Sequence, residues 1–204
     1  MTKPMNRLVA LLFLLLFYST VSQAALEIDV SEGNLRPMPI AITAVIDKQN
    51  EQLDLGLDIT KVIASDLAGS GLFYPINPKA FLEEVESLDQ NPNFNSWRVV
   101  NAEALFSAEL TYDNDRYSIN YKLWDTFSEK SLEANYLVFS KNKWRNVAHM
   151  IADTIYTRLT GERGYFDTQI AFIAESGPKT KRIKRLAIMD QDGQNPILLT
   201  SGKD

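Results

Sequence analysis

Apolar residues recur along this chain in two rhythms, and the switches between them mark out its elements. Leu26, Ile28 and Val30 alternate with Glu27, Asp29 and Ser31, the period of a strand with one apolar face, until Gly33, Pro37 and Pro39 interrupt it. A strand near a terminus followed by such breakers is either tied into a sheet edge or available to join another protein's sheet. Ile40 to Ile46 is almost continuously apolar and rich in β-branched side chains, which predicts a buried strand. From Asp58 to Gly69 the rhythm becomes helical: Asp58 is placed to cap, Ile59, Val62, Ile63 and Leu67 share one face, and Gly69 and Gly71 end the run. Asn77-Pro78 opens a weaker helical stretch carrying Phe81, Leu82 and Val85, and Asn91 to Ser96 reads as a polar loop.

Three strands then follow in meander order, Ala104 to Tyr112, Tyr117 to Asp125 and Leu132 to Ser140, the first two joined by the turn-tolerant Asp113-Asn114-Asp115. Tyr117, Ile119, Tyr121 and Leu123 alternate with Ser118, Asn120 and Lys122, so this strand has one dry and one wet face. Lys143 to Thr160 carries the clearest helical stripe, Trp144, Ala148, Ile151, Ile155 and Leu159, with Gly161 placed to stop it. The pattern predicts an α+β fold, a small mixed sheet whose apolar face is covered by two main helices. Past Gly164 the composition changes, and Thr168 to Ala174 with Lys184 to Met189 read as a hairpin ending in Asp190-Gln191-Asp192-Gly193. Such hairpins build propellers, whose ring needs several blades, so residues 164–204 are expected to be the first strands of an incomplete β-propeller.

The first residues change the picture of where the protein works. Lys3 and Arg7 precede an unbroken apolar stretch from Leu8 to Phe17, and Ser22-Gln23-Ala24 supplies the small residues of a cleavage site. The stretch is too short for a membrane span of roughly 20 residues. The expected organisation is therefore a signal peptide over 1–24, a flexible N-terminal strand over 25–35, an N-terminal α/β domain over 36–163 and the propeller start over 164–204. With no cysteine, the fold of an exported chain must rest on its core rather than on disulfides. With 21 basic and 26 acidic side chains, net charge −5, it lacks the footprint of a nucleic-acid binder. Lys179, Lys181, Arg182, Lys184 and Arg185 form a local basic cluster that reads as a solvated turn between strands.

Catalytic chemistry is sparse. The chain has one histidine and no cysteine, and no Gly-rich phosphate loop interrupts it. His149 falls away from the apolar stripe of its helix and is expected at a boundary or in solvent, and a metal site there would need three carboxylates around it. Glu83-Glu84 and Asp113-Asp115 pair carboxylates, but on solvated faces and turns. Gly69-Ser70-Gly71 lacks the spacing and the strand-to-helix context of a nucleophile elbow and reads as a helix stop. Trp97, Trp124 and Trp144 lie in or beside predicted elements and are expected in the core or at its margin. No catalytic, cofactor-binding or metal-binding residue is assigned.

Several stretches taken in order resemble one family, the TolB proteins of the Tol–Pal system. Arg36-Pro37-Met38-Pro39-Ile40-Ala41-Ile42 is similar to the family's Pro-rich entry to its first strand, Asp66-Leu67-Ala68-Gly69-Ser70-Gly71-Leu72-Phe73 to its helix end, and Tyr121-Lys122-Leu123-Trp124-Asp125 to a central strand. Trp144-Arg145-Asn146-Val147-Ala148-His149 with Ile151-Ala152-Asp153 resembles its Trp-Arg-x-x-Ala-His helix. Leu159-Thr160-Gly161-Glu162 with Gly164-Tyr165-Phe166-Asp167-Thr168 resembles the linker, and Lys184 to Gly193 the first propeller hairpin. The resemblance implies an anticodon-binding-like N-terminal domain followed by a six-bladed propeller. It also implies a periplasmic, non-enzymatic adaptor that binds the periplasmic domain of TolA through its mature N-terminus and the lipoprotein Pal through its propeller, supports outer-membrane constriction at division, and is exploited by colicins. Carried onto this sequence, the TolA contact falls on Leu26, Glu27, Ile28, Asp29 and Val30, while Pal binding belongs to a propeller expected to be cut short here. Two alternatives stay open at this point: a non-catalytic domain of a propeller-bearing periplasmic hydrolase, and a non-functional truncated fragment.

Overall fold

A computed structural model describes residues 36–49 and 53–202; the expected signal segment and the alternating strand at Leu26 to Val30 lie outside the described residues. The apolar run beginning at Ile40 forms two strands, β1 (Met38–Ile42) and β2 (Ile46–Asp47), rather than one. Between them Thr43 gives its hydroxyl hydrogen bond to Ser107, 2.9 Å away, and the Val45 N–H turns to the Thr60 hydroxyl. Helix α1 (Leu53–Gly69) begins a turn earlier than the pattern predicts. Asp58 is therefore not its cap but an interior residue paired with Lys61. Its end is as expected: the Ser70 N–H still reaches the Asp66 carbonyl, and Gly71 takes the left-handed φ of 73° that reverses the chain into β3 (Phe73–Pro75). β1, α1 and β3 thus form a parallel β-α-β unit, Met38 lying opposite Phe73.

The weak helix at Asn77 is reduced to a single 3-10 turn, Pro78–Ala80, in which the Asn77 side chain accepts the Lys79 N–H. Beyond it the chain runs irregularly across the sheet, held by a buried carboxylate: Glu109 accepts the Leu88 N–H at 2.7 Å and pairs with Lys48 at 3.1 Å, while Lys122 donates to the Leu88 carbonyl. The expected loop at Asn91 to Ser96 instead runs into a short helix α2 (Phe94–Val99), which puts Phe94 and Trp97 under this covering.

The long meander follows: β4 (Ala104–Asp113), β5 (Arg116–Asp125) and β6 (Lys130–Phe139), with Phe106 opposite Leu123 and the turn carried by left-handed Asn114 and Asp115. The sheet order is β3-β1-β4-β5-β6, with β2 beside the far end of β4. Alternation sends Ile40, Ile42, Phe106, Ala108, Leu110, Ile119, Tyr121 and Leu123 to one face, against α1 and helix α3 (Trp144–Thr160). Ala41, Leu105 and Trp124 point to the other face, under Ile76, Leu88, Phe94 and Trp97. Trp97 and Trp124 are core residues, and Trp144 packs at its margin. The architecture is the α+β layering that the pattern predicts.

Gly161, at φ 79°, stops α3, and the chain returns along the helix: Asp153 accepts the N–H groups of Phe166 and Asp167, seating Phe166 in the core. A separate three-stranded sheet follows, β7 (Gln169–Ser176), β8 (Ile183–Asp190) and β9 (Ile197–Leu198), in that order and antiparallel. The basic cluster falls on and beside the exposed turn between β7 and β8. Among the described residues no helix is long and apolar enough to cross a membrane.

Candidate functional site

The expected partner-contact residues Leu26, Glu27, Ile28, Asp29 and Val30 lie outside the described residues. The remaining candidates are scattered. Glu83 accepts the Asn93 N–H in the loop, Asp115 accepts the Tyr112 hydroxyl at the β4–β5 turn, and Ser70 donates to the Leu67 carbonyl and accepts the Leu72 N–H as part of the helix stop. None of these is brought to another.

His149 is the exception, and its expected place at a boundary or in solvent is corrected: its side chain is 1% exposed. The stripe read from the sequence faces the sheet, but α3 also packs along α1, so the buried arc of the helix is wider and takes in Val147 and His149 as well as Ala148 and Ile151. Asp66, in the last turn of α1, meets the ring: its Oδ2 is 2.6 Å from His149 Nδ1. The opposite nitrogen, Nε2, lies 3.8 Å from Oδ2 of Asp192, in the turn between β8 and β9, and has no hydrogen-bond partner. Arg145, one helical turn before His149, pairs with the same Asp192 carboxylate. Its guanidinium also lies 5.6 Å from the centre of the Trp144 ring.

The Asp192 turn is locally well made. Asp192 Oδ1 accepts the Gln194 N–H, Asp190 accepts from the Asn195 amide, and Gly193 adopts φ 82°. The cluster therefore joins three parts of the chain through charge. Burial pushes the Asp66 carboxyl above its ordinary value, with the His149 hydrogen bond and charge taking back part of the rise. Burial acts downwards on His149, but the hydrogen bond and charge of Asp66 and the charge of Asp192 outweigh it, leaving the imidazole raised. At Asp192 burial acts upwards and is overcome by the Arg145 and Gln194 hydrogen bonds, so this carboxyl is lowered.

Ligand-capable atoms of Asp66, His149 and Asp192 lie within 4.8 Å of one another. Their chemistry favours protons over a cation. Nδ1 and Asp66 already satisfy each other through one hydrogen, and Arg145 already supplies Asp192 with a full positive charge. With His149 neutral the cluster carries one net negative charge; one further proton neutralises it, whereas a divalent ion leaves a buried excess. The ring is also too enclosed to serve as a general base for a dissolved substrate. Sequence spacing gave no signal for this cluster beyond the presence of the lone histidine.

Comparison with known proteins agrees with this architecture. Residues 26–132 match the TolB amino-terminal domain family. The chain is 46% identical over 184 residues to the Tol-Pal system protein TolB of Paramagnetospirillum magneticum, covering 90% of this chain and 41% of that protein. Its fold superposes on the crystal structure of TolB from Acinetobacter baumannii with a TM-score of 0.69 at 22% identity, over 81% of this chain and 39% of the other. The chain thus spans about two fifths of the length of these relatives. A family match across more than half of its residues, in the order its own motifs lead one to expect, means that this chain belongs to the TolB family.

Proposed function

We propose that the chain acts as a periplasmic adaptor in a Tol–Pal system, recruiting partners through its mature N-terminal strand and performing no catalysis. The observation that carries this reading is family membership, with the matched region beginning at residue 26, inside the alternating segment Leu26 to Val30. In this reading residues 1–24 are a cleaved signal peptide, 25–35 the contact strand, 36–163 the supporting domain and 164–204 the beginning of a propeller. The strand adds to the sheet of the periplasmic domain of TolA: main-chain hydrogen bonds supply affinity, and Leu26, Ile28 and Val30 on one face, with Glu27 and Asp29 on the other, supply register. The contact with Pal belongs to the propeller that begins at residue 164. Together the two contacts serve outer-membrane integrity and constriction at division, and bacteriocin import exploits the same route. The sparse chemistry of the described side chains, with the lone imidazole enclosed between carboxylates, supports an adaptor over a hydrolase.

The test is a titration of the chain from Ala25 to Asp204 against the periplasmic domain of TolA, beside a version lacking Ala25 to Gly33. Saturable binding by the first and none by the second is the expected result. Equal binding by both, or none by either, overturns the reading.

A further inference from the structure

The His149 ring lies between a carboxylate of the helical layer and a carboxylate of the C-terminal sheet. We infer that His149 is a proton-operated latch that fastens the β8–β9 turn to the α1–α3 layer: the imidazolium bridges Asp66 and Asp192, and the neutral ring holds Asp66 alone.

The geometry carries this through a count of hydrogens. At 2.6 Å, Nδ1 and Asp66 Oδ2 must share one hydrogen, so the neutral ring has its proton on that side. Its Nε2 then presents a lone pair to the Asp192 carboxylate 3.8 Å away, an unfavourable contact that leaves a fully buried nitrogen without a partner. A second proton on Nε2 reverses the sign of the contact. An approach of under about 1 Å then completes a charge-assisted hydrogen bond. The groups facing the ring from each packed element are Asp66 from α1, Arg145 from α3 and Asp192 from the β8–β9 turn, with the Tyr165 phenol of the returning linker near Asp66. Arg145 holds Asp192 at every pH in the physiological range, so the titrating part of the latch is His149 alone.

The sign follows from linkage. Docking of the turn adds the Asp192 charge to a ring that Asp66 already holds, so it favours the protonated form: its contribution is fully present below the pKa of the undocked ring and is lost as pH rises through the higher value of the docked state. Each unit by which docking raises that value changes the docking equilibrium about ten-fold. Because the chain has a single histidine, a transition in this window has one source among imidazoles.

Hydrogen exchange on the full chain between pH 6 and 9, expressed as protection factors corrected for intrinsic rates, tests the latch. Protection of the amides of 183–198 is expected to fall several-fold across this window, while that of β4 and β5 stays level. Two variants remove the switch. Asp192→Asn retains the acceptor for Gln194 but removes the charge facing both Nε2 and Arg145, and His149→Gln keeps the Asp192–Arg145 pair, still donates to Asp66 and does not titrate. Both are expected to give a flat profile for the hairpin. A flat profile in the unaltered chain, or a slope that persists in either variant, overturns the proposal. So does a transition that needs added zinc and vanishes with EDTA, which would assign the cluster to a metal.

Discussion

The two sheets of this molecule are built from strands of similar length and similar alternation, yet only one of them has an interior. In β4 seven consecutive residues from Ala104 to Leu110 are buried, because α1 and α3 cover one face and the α2 segment covers the other. In β7 Ile170 and Ile173 remain exposed, as do Ile197, Leu198 and Leu199 in and after β9; Ala187 and Asp190 are the buried residues of β8. Apolar alternation thus specifies which side of a strand is available for burial. Whether burial follows depends on a second layer, and in the C-terminal sheet the charged contact of Asp192 with Arg145 and His149 takes the place that packing has in the first.

Removing one large side chain from each sheet should separate the two most widely. Phe106→Ala empties the middle of the covered sheet and is expected to cost about 3–5 kcal/mol in chemical denaturation. Ile173→Ala, on a side chain 57% exposed, is expected to stay within about 0.5 kcal/mol. Similar losses at the two positions would mean that the C-terminal sheet is buried in solution. The joint between the regions comes next. A Cβ at Gly164 would lie 2.5 Å from the Asp153 Cα, so Gly164→Ala forces the linker off α3. A loss of about 2–3 kcal/mol is expected, with faster protease cleavage near Tyr165; unchanged cleavage would show that the linker does not depend on this close approach.

The smallest contrast sharpens the role of charge. Glu109→Gln keeps an acceptor for Leu88 but gives up the buried charge paired with Lys48, which is expected to lower stability by about 1 kcal/mol and to loosen the loop from Phe81 to Pro92. Glu175→Gln, in the hairpin, loses pairs with Arg182 and Lys184 near the surface and is expected to change stability by at most about 0.5 kcal/mol. Denaturation of the two variants side by side checks both values; equal effects would deny that enclosure is what separates the two ion pairs.

Legibility in the sequence followed the same division. The stripe from Trp144 to Leu159 and the alternation from Tyr117 to Leu123 announce α3 and β5 because one covered face leaves a clean period. The stretch from Phe81 to Val85 misleads, since Phe81 and Val85 reach the second core cluster from an irregular segment rather than from one face of a helix; Phe81 meets Trp97 edge-on at 5.0 Å while Leu82 stays in solvent. Asp58 had the chemistry of a cap without its position, because contacts with the rest of the core carry α1 back to Leu53.

What the sequence alone determined is what lies within a few residues of itself: the strands of the meander, the last helix and its glycine stop, the turn at Asp190 to Gly193, and the motif order by which the family is known. What His149 touches follows from the packing of distant segments. Asp66 is 83 residues away along the chain and Asp192 lies in the turn between β8 and β9, and no periodicity relates such positions. His149 and Asp66 meet because α1 and α3 both cover the same apolar sheet face, and two helices packed side by side on one sheet bury whatever stands between them; Asp192 is brought to them by its pair with Arg145.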